Sequence, residues 1–112
     1  MGKKVDIANV LEVSPGASGE YTIYKVQELR TLTCSKVKLY FPVGTGFDLR
    51  IRIRWGNITI RPTEGFYSGD GNWVIAETDD KYPANTEIVL VYENTNPNET
   101  KWVFYHFEGE LE

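Results

Sequence analysis

Alternation with a period of two runs through most of this chain, broken at short intervals by Gly, Pro, Asn and Asp. That rhythm fits strands with one buried face; helices would repeat their apolar residues every three to four positions. The clearest instance is residues 49–61, LRIRIRWGNITIR. Leu49, Ile51, Ile53 and Trp55 fall on one side, and Arg50, Arg52 and Arg54 fall on the other. Gly56-Asn57 is a two-residue loop with glycine first, which favours a type II′ hairpin turn. Such a turn sets Trp55 opposite Ile58, Arg54 opposite Thr59, Ile53 opposite Ile60 and Arg52 opposite Arg61.

Further strands are expected at 21–26, 32–41, 73–77, 86–93 and 100–109. Residues 8–13 read as a strand or a short helix. The segments 14–20, 42–46, 62–72, 78–85 and 94–99 carry turn residues and read as loops. One strand has an internal conflict. Leu32 and Cys34 are even-numbered, whereas Val37, Leu39 and Phe41 are odd, so burying both sets on one face requires a β-bulge or a break near Ser35. Segment 86–93 is apolar on both faces and is expected at the centre of a sheet or covered on both sides. A chain of 112 residues with this rhythm is expected to be a single domain over 1–112. The expected class is all-β, an antiparallel β-sandwich of seven or eight strands, with a jelly roll among the candidate topologies.

Charge and rare residues narrow the function. The formal net charge of -4 disfavours nucleic acid as a partner. No apolar run is long enough for a membrane-spanning helix, and no secretion signal is seen at the start. Met-Gly opens the chain, but Asp6 stands where a myristoylation signal needs Ser or Thr. A cytoplasmic location, or one within an assembled particle, is expected. Cys34 is the only cysteine, so no internal disulfide is possible, and its spacing from Leu32 marks it as a buried small hydrophobe. His106 is the only histidine and lies within an aromatic strand, which favours a structural role. No G-x-S-x-G motif is present, thiolate clusters are excluded, and His-based zinc sites are not expected. No enzyme and no cofactor is expected.

Two surfaces stand out as protein-interface candidates. Arg50, Arg52, Arg54 and Arg61 are four of the five arginines, and Arg52 facing Arg61 would be a destabilising like-charge pair. Their charge is to be matched by acids of the chain's own neighbouring strand, by another subunit, or by a phosphate backbone. The second surface is WVFYHF at 102–107, whose exposed set is either Trp102, Phe104 and His106 or Val103, Tyr105 and Phe107. Six large residues in a row exceed what one small core readily absorbs, so a symmetry mate, or the chain's own loops or N-terminal segment, must cover one face. Phe66, Tyr67 and Trp73, beside Asp70 and Asn72, are the candidates for a carbohydrate-stacking platform. The 70–80 region holds Asp70, Asp79 and Asp80, a weak calcium signal that turn chemistry also explains.

The strand layout resembles small jelly-roll structural domains of viral and phage particles. GEYTIYKV, GFDLRIRIRWGNITIRPTEGFYSGDGNWVIAETDDKYP, TEIVLVYEN and TKWVFYHFEGEL carry that resemblance. It implies a non-catalytic role in assembly or attachment, as a homo-oligomer or bound to another protein, and it assigns no functional residue.

Overall fold

The computed structural model describes residues 2–55 and 58–112, with only the backbone for 58–60. Eight strands follow in order: β1 Lys3–Val13, β2 Ser18–Lys25, β3 Leu32–Phe41, β4 Leu49–Trp55, β5 Ile58–Arg61, β6 Asn72–Tyr82, β7 Glu87–Asn94 and β8 Lys101–Leu111. They form two four-stranded sheets, β1-β8-β3-β6 and β2-β7-β4-β5. The antiparallel pairs β1–β8, β2–β7, β3–β6 and β4–β5 are those of one long hairpin rolled into a sandwich. This is the jelly roll. The 8–13 segment is strand, within an eleven-residue β1.

Alternation builds the core. Leu49, Ile51 and Ile53 of β4 and Ile88 and Leu90 of β7 point inward from one sheet. Val37, Leu39 and Phe41 of β3 and Val103, Tyr105 and Phe107 of β8 meet them from the other. The bulge is where the sequence demands it. Both pairings of β3 shift register between Cys34 and Lys36: Ser35 is the extra residue against β8, whereas Thr78 and Asp79 of β6 stand against Ser35 alone, and Leu32 and Cys34 return to the core side. β7 is an inner strand, as its two apolar faces require.

Two expectations are corrected. β6 continues to Tyr82 instead of ending at 77. Its inward polar residues are satisfied: Thr78 Oγ1 donates to the Cys34 carbonyl at 2.7 Å, and Asp80 is bound by Arg61. The β4–β5 ladder also holds a bulge. Trp55 faces Ile58 and Arg54 faces Thr59, but Ile53 faces Arg61, which makes Ile60 the extra residue. The Arg52–Arg61 and Ile53–Ile60 pairs therefore do not form, and the like-charge repulsion is removed. The expected Gly56-Asn57 turn lies outside the described residues.

The connections 14–17, 42–48, 62–71 and 95–100 gather at one end and are tied by buried polar groups. Asn94 Nδ2 donates to the carbonyls of Val13, Ser14 and Glu99 at 3.2, 3.2 and 2.8 Å. Lys101 Nζ donates to Gly44 O at 2.6 Å and to Glu99 Oε2 at 2.9 Å. Among the described residues, no buried side-chain nitrogen or oxygen lacks a partner.

Candidate functional site

The bulge decides what the arginines do. Arg50, Arg52 and Arg54 project from the outer face of β4, beside Glu93, Val91 and Val89 of β7. Arg50 pairs with Glu93 at 3.4 Å, and Arg54 pairs with Glu20 on β2. Arg52 Nε donates to Gly65 O at 3.2 Å, and its guanidinium lies 4.2 Å from the centre of the Phe66 ring. Arg61 leaves that face. It donates to both Asp80 oxygens, Nε at 3.0 Å and Nη2 at 2.9 Å, joining β5 of one sheet to β6 of the other. That hydrogen bonding raises the already high Arg61 pKa. Three of the four arginines thus pair with carboxylates of their own chain, and Arg52 is held by the Gly65 carbonyl and the Phe66 ring.

The outer face of the other sheet is different. In register, Val10 of β1 lies beside Phe104 of β8, Phe104 beside Tyr40 of β3, and Tyr40 beside Trp73 of β6. One apolar row therefore crosses all four strands. The ring centres of Tyr40 lie 5.0 Å from Trp73 and 6.2 Å from Phe104. Trp102 and Ile75 flank the row. Trp73, Phe104 and Trp102 remain 55%, 46% and 43% exposed. Ala8, Val10, Phe104 and Trp73 line a shallow groove of about 390 Å³. Of the two sets weighed for residues 102–107, Trp102, Phe104 and His106 face outward, while Val103, Tyr105 and Phe107 are core.

Farther along this face the residues become charged. His106 Nε2 lies 3.4 Å from Asp6 Oδ1, and Lys38 Nζ lies 3.7 Å from Glu108 Oε2. Asp6, His106 and Glu108 bring ligand atoms within 4.8 Å of one another, a grouping that strand order alone reveals. Glu108 already has the Lys38 ammonium beside it, so the arrangement reads as a polar surface network.

Phe66, Tyr67 and Trp73 do not share a platform. Phe66 sits against Arg50 and Arg52 on one side of the sandwich. Tyr67 is half-buried, its backbone bonded in both directions to Ile51. Trp73 lies on the opposite face beside Tyr40. Asp70 and Asp80 stand near opposite ends of β6. Asp70 accepts from Gly44 N at 2.8 Å and Asp80 from Arg61, so they cannot share a cation.

No protein-family model matches the sequence, and no curated protein matches it. Solved structures do resemble it. A chain of the acidic stable capsid of Helicobacter pylori bacteriophage KHP30 is 17% identical, with a TM-score of 0.57 over 97% of this chain and 93% of that one. A chain of the cyanophage Pam1 capsid asymmetric unit is 12% identical, with a TM-score of 0.59 over 97% of this chain and 85% of that one. The expected resemblance to jelly-roll domains of phage particles holds at the level of fold.

Proposed function

We propose that this chain is a non-catalytic structural subunit of an assembled particle and that it self-associates through the outer face of the β1-β8-β3-β6 sheet. The observation that carries this reading is the uninterrupted apolar row Val10–Phe104–Tyr40–Trp73, with Trp102 and Ile75 beside it. Weighting a large side chain's area by each fractional exposure gives roughly 500 Å² of apolar surface. That is at the upper end of what a monomer carries, where such patches are often functional. Two copies meeting there would bury about 1,000 Å², near the threshold of a specific interface, before any polar rim is added. The two structural neighbours come from phage capsids, which supports a role and a location within a particle. The separation of Phe66 and Tyr67 from Trp73 leaves the carbohydrate reading without a platform.

Trp102→Ala with Phe104→Ala tests the surface. Both side chains are half-exposed, so the fold should keep most of its melting temperature. Association should weaken by about tenfold or more, as hot-spot truncation does. Light scattering over a concentration series reads this directly. An unchanged mass distribution at every concentration would remove this face from the interface.

A further inference from the structure

Both ends of the 46 Å long body hold out a bulky apolar side chain from backbone that favours glycine. At the four-loop end, Asp48 N donates to Thr45 O at 3.1 Å. The two central residues of that turn, Gly46 and Phe47, both have φ of 63°, as in a type I′ turn normally filled by Gly, Asn or Asp. Phe47 is 60% exposed, and Val43 in the same loop is more so. At the opposite end, Arg30 N donates to Gln27 O at 3.2 Å, and Leu29 takes the turn position with φ of 63°. Leu29 is 93% exposed. Positive φ in a bulky residue is a genuine outlier, and neither side chain is repaid by burial within its own chain.

The Phe47 loop is also held still. Gly44 N donates to Asp70 Oδ1 at 2.8 Å, Gly44 O accepts from buried Lys101, and Phe47 N donates to Gly69 O at 3.2 Å. A side chain displayed from such a frame loses little freedom on docking. The charges of the two ends differ in kind. The four loops contain Asp48, Glu64, Asp70 and Glu99 and no lysine or arginine, and the nearby Arg50 and Arg52 of β4 are turned against Phe66. Lys101, beneath them, is shared between Glu99 and Asp48. The opposite end carries exposed Lys3, Lys4, Lys25, Arg30 and Lys81, interleaved with Glu28, Glu87, Glu110 and Glu112.

We infer that copies of this chain also join end to end, the Val43–Phe47 loop of one seated against the Leu29 turn of the next. The contact is head-to-tail and open, an apolar centre with an acidic rim facing a cation-bearing one. It rests on the assembly reading above and uses a separate surface. Salt weakens it, since its rim is exposed charge, whereas the apolar sheet-face contact persists.

The test places Phe47→Gly or Leu29→Gly in the Trp102→Ala/Phe104→Ala chain and follows sedimentation velocity in low and in molar salt. Glycine suits both backbones, so each variant should keep or raise its melting temperature. Without the glycine changes, the chain should form larger species in low salt that dissociate in molar salt. Either glycine variant alone should stay monomeric. Mixed, the two should give one-to-one dimers and nothing longer, because each supplies one intact end. A chain that is monomeric in low salt without the glycine changes, glycine variants that keep the larger species, or a mixture that forms no dimer each overturn the inference. Because the sheet-face substitutions are present throughout, such a failure is distinct from a failure of the sheet-face reading.

Discussion

Cys34 shows how much one residue's surroundings decide. It is buried against the core beside the Ser35 bulge, and burial pushes its thiol pKa up. Burial acts in the same direction on Tyr82 and Tyr105. A group whose folded pKa is raised stabilises the fold fully below its unfolded value, and that contribution is lost as pH climbs. Unfolded thiols titrate near about 8.5 and tyrosines near about 10. Stability is therefore expected to fall above about pH 8.5, first through Cys34 and then through the tyrosines. Urea midpoints at neutral and alkaline pH, kept under reductant, measure this. Cys34→Ala should flatten the first part of the decline, and an equally steep decline in that variant would refute the assignment. The native thiol should also resist alkylation until denaturant is added.

At the scale of the element, the bulges at Ser35 and Ile60 bear most on the site; β2 holds another between Thr22 and Tyr24. The irregularity at Ser35 is legible in the sequence because Leu32 and Cys34 are out of phase with Val37, Leu39 and Phe41, which a bulge or a break must reconcile. The bulge at Ile60 leaves no such trace, since LRIRIRWGNITIR alternates cleanly through the hairpin. Its cause lies in another strand, where Asp80 of β6 receives Arg61. β6 itself reads as a short strand because Thr78, Asp79 and Asp80 look like loop chemistry. Long-range partners, the Cys34 carbonyl and Arg61, make those residues acceptable in a ladder. The Ser35 bulge also needs a glycine across from it. A Cβ on Gly109 would lie 2.7 Å from the Thr33 carbonyl oxygen, which is backbone and cannot step aside. Gly109→Ala should cost about 1–3 kcal/mol, the range for overpacking. Urea denaturation checks this, and a loss within error of zero would mean that the bulge is looser than the structure has it.

At the scale of the whole molecule, the all-β class and the inner place of β7 are legible from local pattern, while the site is legible only in part. The two-faced sequence of β8 points to Trp102 and Phe104. Their neighbours Val10, Tyr40 and Trp73 come from strands far apart in the chain, brought together by the order β1-β8-β3-β6. Closeness in sequence groups Trp73 with Phe66 and Tyr67, yet the entry into β6 turns it to the other side of the sandwich. The arginines draw the eye as isolated charges, and the fold gives each a partner. The aromatic face stays exposed, with Trp73, Phe104 and Trp102 all half-uncovered. Sedimentation equilibrium of the unaltered chain, from low micromolar to high micromolar concentration, asks the question most directly. Association through the aromatic sheet face predicts a reversible, concentration-dependent rise above the 12.8 kDa of one copy; a mass that stays at one copy throughout would contradict it.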